Sequence, residues 1–295
     1  MSNDVQMKGG ASINRLVISR KGFDSANGGC ASPIFPDGTM LSLPIPSGGD
    51  PVTYADLRHG DVSIGDMVED LTRGRFTRHD CAHLDPDVGS TVYQGRRGGC
   101  SGLFGQVGGS QTTLAKEGVG PGDLFLFFGW FRRVECVGGH WRYERGARDV
   151  HVLWGWLSVG SVREVADIPD GDPIRARVPR HPHFGYEHYS NTLYVADRGL
   201  GAGVFPRYDR RLQLTDPGSL QRTCWRLPRW FYPFEPGRKR PPLGYHGKRW
   251  RWSPESDVRL TSVDIGQEFV LDATAYPEAE EWALDLIKSL GSRSG

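Results

Sequence analysis

No uninterrupted apolar run in the 295 residues approaches the roughly 18 that a membrane-crossing helix requires. The polar start, Met1 to Ser12, lacks the apolar core of a secretory signal, so a cytoplasmic address is the default expectation. Five cysteines (Cys30, Cys81, Cys100, Cys136 and Cys224) are too few, too scattered and odd in number for a disulfide framework. Without a Cys-x-x-Cys pair they also exclude a thiolate zinc knuckle. A phosphate-binding G-x-x-x-x-G-K-[ST] loop, a G-x-S-x-G elbow and an H-E-x-x-H helix are all missing. The Gly-rich stretch Gly95 to Gly109 matches no dinucleotide fingerprint and reads as a mobile loop. A net charge of +1 gives no global attraction to polyanions, so any electrostatic recognition has to be local.

What is there reads as an α+β protein built on a β-rich mixed sheet or partly closed barrel, with a few peripheral helices. Asn14 to Ser19 clusters aliphatic and β-branched residues before a Gly-rich break, the mark of a strand. Ser63 followed by Ile64, Met67, Val68 and Leu71 at helical spacing predicts a capped helix that ends near Gly74. Asp123 to Phe131 and His151 to Val159 are apolar on both alternating faces and are expected to be buried strands, joined by an extended hairpin through Gly138-Gly139. Asn191 to Ala196 reads as a further short strand. From residue 206 to 254, prolines and glycines recur too often for regular elements, which predicts a long irregular excursion over the core. Pro277, three early glutamates and the apolar face Trp282, Ala283, Leu286, Ile287 and Leu290 predict a C-terminal amphipathic helix stopped at Gly291. Without repeats or low-complexity linkers, residues 13–291 are expected to form one integrated domain after a flexible start at 1–12.

Four polar clusters could carry chemistry. Arg20, Lys21, Asp24, Ser25 and Asn27 occupy the Gly-rich loop after the first strand. There, Arg and Lys could hold an anion and Asp24 could act as base, nucleophile or acceptor; a hydrogen-bonded turn is the plainer alternative. His79, Asp80, His83, Asp85 and Asp87 offer imidazoles four apart with nearby carboxylates. This donor set allows a divalent metal (His79, His83, Asp85, Asp87), metal-free acid/base work, or simple hydrogen bonding. His181, His183, His188 and Asn191 form a third group whose imidazoles could serve as acid or base near neutrality; ordinary satisfied histidines are the plainer reading. Finally, Arg and aromatic residues interleave through the excursion, with Arg238, Arg240 and Trp250 as candidate contacts to phosphates and bases. The competing explanation is cation-π packing that anchors the excursion to the core.

Several of these residues together carry a family resemblance. Leu16 to Ser25 with Gly28-Gly29 and Ser32-Pro33-Ile34, the His83-Leu-Asp-Pro-Asp87 run, and Gly266 to Leu271 resemble the nucleotide modification associated domain 3 family over nearly the whole chain. The resemblance implies a role beside systems that modify bases, with nucleic acid or a nucleotide, and other modification-system proteins, as partners. Pro121-Gly-Asp123 and Gly155-Trp-Leu157 also look like the barrel strands of PUA-like domains, a centre that reads modified bases. The leading expectation is a base- or nucleotide-modifying enzyme in which Asp24, His83 and Asp85 are catalytic and Arg20, Lys21, Ser25 and Asn27 hold the substrate. A non-catalytic module binding modified nucleic acid, and a metal-dependent enzyme acting on a small metabolite or peptide, are the alternatives.

Overall fold

The computed structural model describes residues 13–89, 102–264 and 266–293. The expected flexible start and residues 95–101 of the Gly-rich loop lie outside the described residues.

The sheet forms around two long strands whose faces are both apolar. Strands β1 (Arg15–Arg20), β2 (Ile45–Ser47), β3 (Cys81–His83), β4 (Leu103–Gln106), β5 (Leu124–Val137), β6 (Val150–Glu164), β7 (Thr192–Ala196) and β8 (Glu268–Asp272) are the ones that position the site. The main sheet runs β8-β1-β5-β6-β7-β4. Within it β1 and β5 are parallel, Leu16 lying opposite Leu124 and Arg20 opposite Phe128, and the remaining neighbours are antiparallel. Both faces of β5 disappear into the core because Leu124, Phe125, Leu126, Phe127 and Phe128 are all fully buried. Along this path strand β6 serves two partners in turn. Its first half pairs with β5, and after an irregularity between Val159 and Ser161 its second half pairs with β7. That bend carries β7 and β4 round towards the other end of the path.

The path does not close by backbone pairing, so the sheet is not a closed barrel. Its two ends are nevertheless tied by side chains: Gln106 at the end of β4 donates from Nε2 to Oε1 of Glu268 at the start of β8 over 2.7 Å. Helix α1 (Ile64–Leu71) begins as its sequence predicts, with Ser63 Oγ accepting from the Asp66 amide at 3.3 Å. Helix α2 (Gly108–Lys116) follows β4, and α3 (Pro173–Arg177) packs a small satellite core with Ile174. Helix α4 (Glu278–Leu290) buries Ala279, Ala283, Leu286 and Ile287 against the main core. The excursion is less irregular than expected. Its Cys224–Leu227 and Trp252–Pro254 segments flank Val258–Thr261 in a separate three-stranded sheet, which buries Trp225, Trp252 and Leu260.

Two buried histidines lock this second sheet to the first. His151 on β6 accepts the Trp225 indole N–H at Nδ1 over 3.0 Å. His246 places Nδ1 2.6 Å from the Gly244 carbonyl, to which it donates, while its Nε2 accepts the Val263 amide at 3.3 Å. Each ring is therefore held neutral. Burial lowers His246 to about 4 and His151 well below the ordinary imidazole value. The unfolded chain then binds protons more readily than the folded one between about pH 6.5 and the depressed values, so stability contributed above pH 6.5 is lost as pH falls towards about 4. Urea denaturation should show midpoints falling from pH 7 to pH 4.5, and His246→Gln should flatten that slope; an unchanged slope would contradict the neutral-histidine assignment.

Candidate functional site

The site is assembled at the C-terminal end of β1, where the chain leaves the parallel pair. The Lys21 amide still bonds to the Phe128 carbonyl at 2.8 Å, after which the backbone turns through Gly22 and Phe23 towards Leu43. The turn itself is built by Asp24. Its Oδ1 accepts the amides of Ala26 and Asn27 at 2.8 and 2.6 Å, and the Asn27 side chain donates to both its oxygens. Asp24 and Asn27 are thus bound to one another in an Asx-type turn, the plainer of the two readings of that loop.

Opposite this turn stands β3, paired antiparallel with β2 so that His83 faces Ile45. The chain then passes through Asp85 and the cis Asp85-Pro86 bond, and Asp87 bonds to Leu103, delivering Asp85 to the edge of β4. There the Gly105 amide donates to Asp85 Oδ1 at 2.7 Å. The same glycine admits a third segment: a Cβ on Gly105 would lie 2.2 Å from the His183 ring, so only a residue without a side chain lets that imidazole sit against β4. His183 comes from the short helical turn Pro182–Gly185, just before β7.

These three segments meet in a cavity of about 250 Å³ lined by, among others, Arg20, Lys21, Asp24, His83, Asp85 and His183. Candidate ligand atoms of His83, Asp85 and His183 all lie within 4.8 Å of one another. His183 Nε2 is 3.8 Å and His181 Nε2 3.4 Å from the Asp85 carboxylate. His83 and His183 each have an orienting partner. His83 Nδ1 is 2.7 Å from Asp50 Oδ2, and His183 Nδ1 is 2.7 Å from Asn191 Oδ1. The Asn191 amide nitrogen donates to the carbonyls of His183 and Tyr186, which fixes the way that side chain points.

The electrostatics follow from this packing. Burial pushes His183 down to about 4, so it is neutral at neutral pH. Burial would also lower His83, but its bond to Asp50 and the charge of Asp85 outweigh that and raise it. For Asp85 burial favours the neutral acid; the His181 contact and the His183 and His83 rings outweigh it and hold the carboxyl below its usual range. A second, smaller cavity of about 90 Å³ touches the other side of Asp85, but Met40, Leu84, Trp154 and Phe205 make it largely apolar.

The remaining expected site residues fall in several places. Arg20 lines the cavity while its guanidinium donates to the carbonyls of Asp264 and Val263. Lys21 is committed to Glu268 at 2.9 Å and lies over the Phe104 ring. Ser25 is outside the cavity and accepts from Arg222 at 2.6 Å. His79 is exposed, and Asp87 is buried towards the apolar cavity, so neither joins His83 and Asp85. Arg240 packs on Tyr276 and reaches Glu278, Arg238 is exposed, and Trp250 is exposed with Arg251 against its face; none of the three lines the cavity. Asp50 and Glu268 were not singled out from sequence, and His183 and Asn191 were grouped there only as a cluster with a plainer structural reading. The one local signal was Asn191 eight residues after His183 in a histidine-rich stretch.

Fold and site define an α+β protein with a histidine-carboxylate cavity at the lip of an open, curled sheet. The chain belongs to the nucleotide modification associated domain 3 family, which it matches over residues 15–272, and this ties it to nucleotide modification. No curated protein and no solved structure matches it, so the likeness of its centre to PUA-like strands rests on sequence alone. Among the described residues no helix is long and apolar enough to cross a membrane.

The pairing of Lys21 with Glu268 generates a stability prediction. Lys21→Met leaves Glu268, 1% exposed, as a buried charge without its cation, and should cost about 3–5 kcal/mol in urea denaturation. Asp24→Ala removes turn hydrogen bonds near the surface and should cost about 1 kcal/mol. Equal losses would contradict the structural role assigned to Lys21.

Proposed function

We propose that the chain is an enzyme that modifies a base within a nucleic-acid strand, the base entering the cavity between the Asp24 turn and His83. The observation that carries this reading is a succession of cavities with shared walls. Arg20 and Asp24 line both the His83 cavity and a neighbouring one of about 340 Å³, which adds Ser25, Trp130, His151 and Arg222. Trp130 in turn belongs also to a third space of about 590 Å³, edged by Arg73, Arg75, Arg132 and Arg142. Arginine and aromatic faces alternate along this course: Arg222 lies 4.4 Å over the Trp130 ring and Arg132 lies 5.0 Å over Tyr143. Guanidinium groups suit phosphates, and rings suit unstacked bases. At the mouth of the first cavity Tyr186 is half exposed and stacks on His188, which itself stacks on the exposed Tyr189. A free mononucleotide or small metabolite would fill the first cavity and leave the other two without a purpose.

Within the first cavity His83 and Asp85 are the groups we assign to act on a bound base, His83 oriented by Asp50. Arg20, braced by two carbonyls, presents a fixed cation at the junction of the first two cavities. The binding part of the proposal is tested by fluorescence anisotropy with a labelled single-stranded oligonucleotide and with a labelled mononucleotide. Arg222→Ala and Arg132→Ala should each weaken oligonucleotide binding several-fold and reduce its salt slope by roughly 0.7, while mononucleotide binding is unchanged. Oligonucleotide affinity that neither substitution moves would contradict the strand course.

A further inference from the structure

We infer that His83, Asp85 and His183 bind one divalent transition-metal ion, with the open side of the ion facing the cavity. The inference adds a cofactor to the site proposed above and rests on that reading for its purpose; the ligand set is argued from geometry alone. Asn191 turns its amide nitrogen to two carbonyls, so its Oδ1 is the atom that meets His183 Nδ1, and an acceptor there requires Nδ1 to carry the hydrogen. His183 Nε2 is left with a lone pair, and it points at Asp85 Oδ2 from 3.8 Å. Two buried acceptors facing each other with no hydrogen to share call for a cation between them.

His83 supplies the third donor. Its Nδ1 is taken by Asp50, which leaves Nε2 as the free ring atom. A carboxylate behind one imidazole and an amide oxygen behind the other is the arrangement that orients metal-binding histidines and makes them better donors. Asp85 Oδ1 is meanwhile anchored by the Gly105 amide, so the carboxylate is held in place with Oδ2 turned to His183. Two imidazoles and one carboxylate suit zinc, iron, manganese or cobalt far better than magnesium or calcium. Ligand atoms around such an ion stand about 3–3.5 Å apart, given bonds of about 2.0–2.2 Å. The observed spread of up to 4.8 Å therefore closes by about 1.3–1.8 Å at most. Three protein ligands, with cavity beside them, leave coordination positions for water or substrate.

The test uses full-length protein stripped with chelator and titrated with cobalt(II), read by visible absorption and by elemental analysis after desalting. One equivalent per chain with nitrogen-ligand bands is expected. His83→Ala and Asp85→Asn should abolish it, and Asp50→Asn or Asn191→Ala should weaken it about 10- to 100-fold. His79→Ala, altering an exposed histidine outside the cluster, should leave it intact. Circular dichroism on the stripped proteins confirms that the variants fold, and His83, more exposed than the Asp85 side chain, is the safer of the two positions to truncate. Wild-type protein that takes up no stoichiometric metal, or metal retained by folded His83→Ala and Asp85→Asn, would overturn the inference. Oligonucleotide binding by the stripped protein is measured in parallel, so a failure of the metal site is distinguishable from a failure of the strand course.

Discussion

The buried carboxylate of Asp85 is the constraint around which the site is organised. A charge with a side chain only 4% exposed survives only if its surroundings stabilise it, and here the stabilising groups come from three separate stretches of chain. The Gly105 amide approaches from β4, His83 from β3, and His181 and His183 from the turn before β7. Each approach places a demand of its own. Residue 105 has to lack a side chain, His83 has to be turned by Asp50, and His183 has to be turned by Asn191. The site is therefore a consequence of the fold's ends meeting, rather than of any one loop.

That meeting is made by the curl of the sheet. Strand β6 hands its partner β7 round to β4, and the free edge of β4 arrives opposite β8 with Gln106 against Glu268. Lys21, emerging from β1, completes a buried bridge between the two ends. A closed ladder would have sealed the lip; side-chain ties leave it open, and the cavity lies there. The Asp24 turn forms the lip's outer wall, so the same short loop also borders the next cavity along the surface. Fold and proposed substrate course are thus linked through a single turn.

Much of this was legible in the residues. The doubly apolar runs of β5 and β6, the Ser63 cap and the C-terminal helix obey local rules that need no tertiary context, and each forms where its pattern predicts. The Asp24 loop and His83-Asp85 line one cavity. What stayed hidden depends on long-range pairing. His183 resembles its neighbours His181 and His188 until the β7-β4 pairing sets it against Gly105, 78 positions earlier in the chain. Asp50 is one acid among several in an acidic stretch until the β2-β3 pair brings it to His83. The excursion misleads in the other direction. Its arginines and aromatics look like one binding surface, yet Trp225 is buried in a second small sheet and Arg240 packs on Tyr276 beside Glu278, while Arg222 lines the cavity next to the site.

The central claim is that a hydrogen on His183 Nδ1 leaves Nε2 as a bare donor atom aimed at Asp85. Long-range proton-nitrogen NMR of selectively labelled histidine reads this directly. The account predicts that His183 at pH 7 is the neutral tautomer protonated at Nδ1, with an Nε2 signal that broadens on addition of substoichiometric manganese(II). A His183 ring protonated at Nε2, or one whose signals are indifferent to the ion, would contradict it.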